Sequence, residues 1–170
     1  MIDGAAADKR FDNVKAVSAF NKKNAAARFA LVCEAYDYVL VDMPTGNDEL
    51  KKFVFSIVGG VVVPLSPDAS AVGGYLDALK MVNEAAEGNK GIVFVGGFLG
   101  RFNKARGNDV FVLGEAREKL DLIGVIPDRS EIAETITFET PISFYRPFSA
   151  KSKGRVAYEM LVDEIVKRLQ

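Results

Sequence analysis

The 170-residue chain is 49% hydrophobic and 26% charged with a net charge of −1, the balance of one soluble domain over residues 1–170 with a sizeable core. It contains no histidine and Cys33 is its single cysteine, which excludes an intrachain disulfide, a thiolate metal cluster, the common zinc sites, and Ser-His-Asp or Cys-His catalysis. The near-neutral charge gives no electrostatic case for nucleic acid, and any metal would be a hard cation on oxygen ligands, most readily Mg²⁺.

In chain order, Asn24 to Tyr36 has a one-sided apolar pattern and reads as a helix. Val39-Leu40-Val41 reads as a buried strand that ends in Asp42 and is bounded by Pro44 and Gly46. Asn47-Asp48-Glu49 can cap a helix to about Ile57, stopped by Gly59-Gly60. A second strand follows at Val61–Leu65, and Asp68 or Ser70 opens a longer helix to about Ala86. The third strand is Gly91–Val95, closed by Gly96 and Gly97, and Phe98 to Asn108 reads as an exposed basic loop. Asp109 to Leu120 is a further helix, Leu122–Ile126 a fourth strand stopped by Pro127, and Lys153 to Leu169 the last helix. The strands are apolar on both faces and alternate with helices. That pattern predicts an α/β fold with a mostly parallel, doubly wound sheet and helices on both faces. No apolar run approaches 18 residues and no signal peptide is evident, so a cytoplasmic protein without a membrane segment is expected.

Ligands of doubly wound sheets sit beyond the carboxyl ends of the strands. Here those ends are Asp42-Met43-Pro44, Pro64 to Asp68, Gly96-Gly97-Phe98 and Pro127-Asp128-Arg129. An aspartate directly after an apolar strand can hold Mg²⁺ or its water, as in the Walker B element of P-loop enzymes, or it can simply cap the next turn. Gly96-Gly97-x-x-Gly100-Arg101 is glycine-rich but lacks the Gly-Lys-Ser/Thr ending of a phosphate loop, and glycine clusters more often mark turns. Arg101, Lys104 and Arg106 form the better basic patch. The cations Lys151, Lys153, Arg155, Lys167 and Arg168 are more simply a solvated helix face. Phe138, Phe144, Tyr145 and Phe148 read as packing residues before a stacking platform.

Taken together, these segments resemble the ParA/MinD family of deviant-Walker ATPases. Tyr36-Asp37-Tyr38-Val39-Leu40-Val41-Asp42-Met43-Pro44 resembles the family's "YDYxxxDxP" strand. Val61 to Pro67 is similar to its "PxxP" strand end, and Val125-Ile126-Pro127 to the "IP" turn that holds the adenine edge. Pro141-Ile142, Tyr145-Arg146-Pro147, Ser152-Lys153-Gly154 and Ala157-Tyr158 follow in the family's order, so the resemblance covers roughly residues 36–170. Met1-Ile2-Asp3-Gly4 resembles the end of the family's second strand, "LIDxDPQ".

The resemblance implies ATP and Mg²⁺ as cofactors. Asp42 would hold Mg²⁺ through water, Asp3 would support the same catalytic site, and Pro127 and Asp128 would flank adenine. It implies a homodimer, a centromere-binding partner protein and non-specific DNA binding, in plasmid or chromosome partition; septum-site and conjugation-associated homologues have similar second halves. Two departures accompany it. The 170 residues contain no "KGGxGKT" phosphate loop, and Ala5 stands where the second aspartate of "DxD" belongs. The strand–loop–helix unit that carries the phosphate loop would precede Met1, so an N-terminal truncation is expected. That strand is normally internal to the sheet, so its loss implies closure of the gap, a shifted register or a dimer contact. The expected function is a partition ATPase whose chain as it stands is inactive; the alternative is a non-catalytic interaction module with a decayed nucleotide site.

Overall fold

A computed structural model describes residues 25–44, 46–137 and 152–170. The chain divides into two compact units, residues 1–53 and 54–170. In the first, α1 (Ala25–Ala35) is an alanine-rich helix that carries the exposed Cys33. Residues 36–44 follow without regular structure. The strand expected at Val39–Val41 is therefore not formed, and Leu40 is 95% exposed. An apolar β-branched run has strand propensity, but a strand exists only where its backbone finds a pairing partner. The next helix, α2 (Asp48–Phe55), opens on Asn47, whose Oδ1 accepts the Leu50 N–H at 3.0 Å, with Asp48 and Glu49 in the first turn.

The second unit is built on three parallel strands in the order β1 (Gly60–Leu65), β2 (Val93–Phe102), β3 (Leu122–Pro127). The helices α3 (Ala71–Ala85) and α4 (Gly107–Lys119) make the two crossovers. Their residues Ala71, Tyr75, Val112 and Ala116 form one core with Leu65, Leu99 and Leu120, and Val125 packs against it. The helix α6 (Lys153–Leu169) covers the other face: Leu161 lies over Gly124, the sheet neighbour of Val125, and Leu169 lies over Gly60. Successive residues of a strand point to opposite faces, so Gly124 and Val125 confirm a sheet sandwiched by helices. The α/β class and the parallel, two-sided sheet are as the sequence predicts.

Three elements differ from expectation. β2 runs on to Phe102, so the segment expected as a loop from Phe98 is strand for its first five residues. Gly96, at φ +128°, absorbs the register shift beside Val61/Val62 that lets β2 continue. α4 starts at Gly107 and not Asp109, and a short helix, α5 (Ser130–Thr137), follows β3 unannounced.

Side-chain locks fix this frame. Asn89 Nδ2 donates to the carbonyls of Phe55 at 3.0 Å and Val58 at 2.8 Å, tying the turn after α3 to the entry of β1. The Tyr75 ring meets Phe94 edge-on at 5.0 Å, and its hydroxyl accepts the Asp121 N–H at 3.1 Å. Arg168 donates to the Val95 carbonyl at 3.0 Å and also pairs with Glu164 and Asp121, pinning the end of α6 under the sheet. At the start of α6, Ser152 Oγ accepts the Arg155 N–H and donates to Glu131 of α5 at 2.9 Å.

β1 is an edge strand among the described residues. The Gly59 carbonyl accepts the Val93 N–H, so the odd-numbered groups of β1 face β2 and the even-numbered ones, Gly60, Val62 and Pro64, face outward.

Candidate functional site

The carboxyl ends of the three strands are joined by a rim of hydrogen bonds. The β1 end is held by Asn108 Nδ2, which donates to the Pro67 carbonyl at 2.8 Å. The β3 end is held by the Asp128 N–H, which donates to the Phe102 carbonyl at 2.7 Å. Between them lies Asp109, a charged residue only 4% exposed, whose Oδ2 accepts the Asn103 N–H at 2.8 Å. A buried carboxylate without such a donor would be strongly unfavourable, so the turn after β2 and the first turn of α4 are mutually required. Arg106 closes the rim as an ion-pair partner: its Nη2 lies 3.0 Å from Asp128 Oδ2 and its Nη1 4.0 Å from Asp109 Oδ2. Asp68 caps the turn into α3, accepting from the Ser70 side chain and N–H, and these bonds hold its carboxyl below its ordinary pKa.

The residues singled out in the sequence are placed as follows. Pro127 ends β3, and Asp128 follows it, half-buried and ion-paired to Arg106. Asp42 is exposed in the irregular segment 36–44. Asp3, Ala5, and the aromatic set Phe138, Phe144, Tyr145 and Phe148 lie outside the described residues. Of the basic patch, Arg106 is committed to carboxylates, Lys104 is exposed, and Arg101 takes a left-handed φ of +53° in β2. Arg155 and Lys167 of α6 pair with acidic residues of their own helix, as a solvated helix face does.

The glycine cluster Gly96-Gly97 is packed, not open. A Cβ at Gly97 would lie 2.9 Å from the Tyr75 ring, and one at Gly96 would lie 2.7 Å from Ile123. These glycines permit close approach within the sheet and provide no cradle for phosphate. No cluster of three or more potential metal-ligating side chains occurs among the described residues; a Mg²⁺ held by one or two carboxylates, water and phosphate would need none. Asp128, beside Pro127, keeps hydrogen-bond acceptor capacity on its carboxylate. The pairing of Arg106 with Asp109 and Asp128 was not anticipated from the sequence. Its signal was Asp109 in the first turn of a helix after a basic loop, a placement that favours an anion but does not name its partner. Among the described residues no helix is long and apolar enough to cross a membrane.

No family model matches the chain. It is 30% identical over 150 residues to the chromosome-partitioning ATPase Soj of Thermus thermophilus, a match that spans 85% of this chain and 59% of Soj. The chain thus spans about three-fifths of the curated relative it matches. Among solved structures it is similar to the cell division ATPase MinD of Pyrococcus furiosus, at TM-score 0.66 and 21% identity over 86% of this chain and 59% of that one. It is also similar to the septum site-determining protein MinD of Pyrococcus horikoshii, solved with Mg-ADP, at TM-score 0.69 and 19% identity over 98% of this chain and 73% of that one. In sequence through Soj, and in fold through MinD, the chain is related to the ParA/MinD family of P-loop ATPases.

Proposed function

We propose that these 170 residues carry the Walker B and base-binding half of a ParA-type ATPase of plasmid or chromosome partition. The observation that carries the reading is the similarity to Soj along 85% of the chain, which reaches well beyond any single motif. The rim at the strand ends supports it, because it lies where doubly wound sheets bind their ligands. In this reading Pro127 and Asp128 flank the adenine of ATP. Asp42 faces Mg²⁺ through water, and Asp3 supports it. The MinD structure solved with Mg-ADP supports nucleotide and Mg²⁺ as the cofactors. A homodimer, a centromere-binding partner protein and non-specific contact with DNA complete the proposal.

Titration of the chain with a non-hydrolysable ATP analogue and Mg²⁺, followed calorimetrically, tests it. The packed glycines provide no array of backbone N–H groups for phosphates, so binding by these residues should be weaker than micromolar. Micromolar binding would overturn the assignment of the phosphate site to a separate Walker A unit. Ala5 in place of the second aspartate of "DxD" favours a second reading, a non-catalytic interaction module with a decayed nucleotide site. The coding DNA upstream of Met1 separates the two. An in-frame "KGGxGKT" supports the ATPase, and a stop codon or unrelated promoter supports the module.

A further inference from the structure

The outer face of α4 carries an aromatic side chain that the fold does not use. Val112 and Ala116 enter the core, whereas Phe111 is 67% exposed. The charges on either side of it differ in sign. Lys104 lies in the turn just before α4, seven residues before Phe111. Glu118 lies seven residues after it, about 10 Å along the axis and within about 20° of the same face. Both are exposed, and neither is in an ion pair among the described residues. One turn beyond Phe111 is Gly114, where an added Cβ would meet nothing within 4 Å and φ is not positive. Neither backbone geometry nor packing within the chain calls for glycine there, although a helix interior disfavours it.

We propose that this face of α4 binds the same face of a second copy of the chain, with the two helices antiparallel about a two-fold axis at Phe111. The axis places Lys104 of each copy opposite Glu118 of the other, so one attractive pair occurs twice. A parallel pairing would set Lys104 against Lys104 and Glu118 against Glu118. Each Phe111 ring fits the notch left at Gly114 of the other helix, and the helix dipoles oppose favourably. The other described helix with a comparably exposed side chain, Met160 of α6, has Lys153 and Lys167 seven residues to either side. The same operation there would bring lysine onto lysine, so the charges select α4. A 13-residue helix is about 20 Å long, and a face of that size makes a weak, reversible contact. The contact uses α4 alone and no nucleotide, so it holds independently of the ATPase reading.

Sedimentation velocity of the nucleotide-free 170-residue chain, over a concentration series at low salt, tests it. Wild type should show a monomer–dimer equilibrium that weakens as salt is added. Phe111→Ser, at an exposed position, should keep the wild-type circular dichroism and sediment as monomer where wild type is half dimer. Lys104→Glu and Glu118→Lys should each weaken association by about tenfold, because each turns two attractive contacts repulsive. The double variant Lys104→Glu/Glu118→Lys should recover wild-type affinity. A monomeric wild type, an undiminished dimer in Phe111→Ser, or a double variant no tighter than the singles would overturn the proposal. A dimer that forms only when ATP and Mg²⁺ are added would also overturn it, while leaving the ATPase reading in place.

Discussion

Gly96→Ala should be among the most damaging single-methyl changes in this chain. Two independent effects coincide at the position. Its φ is +128°, a conformation that L side chains rarely adopt, and holding alanine there costs about 1–3 kcal/mol. The added Cβ would also lie 2.7 Å from Ile123 Cγ2 and 2.9 Å from the Asp121 carbonyl oxygen. The carbonyl is backbone and cannot rotate away, so crowding adds about 1–3 kcal/mol more. The midpoint of the sum, about 4 kcal/mol, is a large share of the ~5–15 kcal/mol that stabilises a domain. With a urea m-value of about 2 kcal/mol/M, the unfolding midpoint should fall by about 2 M. Two companions resolve the terms. Gly97→Ala meets the Tyr75 ring at 2.9 Å without a left-handed φ, so it should lose only the crowding part, about 1 M. Gly114→Ala, in α4 with nothing within 4 Å, should gain about 0.5–1 kcal/mol from helix propensity. Urea melts followed by circular dichroism give all three midpoints. If Gly96→Ala unfolds within about 0.5 M of wild type, the reasoning about the bulge is wrong.

Asp109→Ala removes the acceptor of the Asn103 N–H and should cost about 1–3 kcal/mol, with faster hydrogen exchange at Asn103; Asp109→Asn, which keeps an oxygen, should cost less. Burial pushes the Tyr75 phenol above its ordinary pKa near ~10, so its contribution is complete below that value and is lost as pH rises through the higher folded value. Urea midpoints across the alkaline range should therefore decline in wild type and decline less in Tyr75→Phe. The Asp68 carboxyl is held below its ordinary range by Ser70, so its contribution is complete above ~4 and is lost as pH falls through the lower folded value. Ser70→Ala should flatten that acid limb in a pH series of thermal melts, and an unchanged limb would show that the Asp68–Ser70 contact is not formed in solution.

Sequence periodicity located the elements that bury a continuous face. β1, β3, α3 and α6 lie within a few residues of their expected spans because each has apolar residues at the spacing of its own geometry. Val39–Val41 has the same composition as β1 but not its pairing, and propensity cannot report a partner. The overrun of β2 was hidden by glycines that read as a stop, whereas two of them are there because Tyr75 and Ile123 leave no space for a Cβ. Pro127 and Asp128 could be placed at a strand end from sequence, since the end of an apolar run is a local signal. The pairing of Arg106 with Asp128 could not, because Arg106, Asp109 and Asp128 come together only after the β2–α4–β3 crossover folds.

The outward side of β1 has a further consequence. Gly60 and Val62 can each offer an N–H there, but Pro64 has none. A strand laid along this side would find donors over the first half of β1 and then lose them two residues before the carboxyl end. From that point the two backbones have no ladder to keep them together and must fork. The fork would open beside Pro67, at the same end of the sheet as the rim that carries Asp128, so the missing proton of one imide nitrogen would set where a cleft begins.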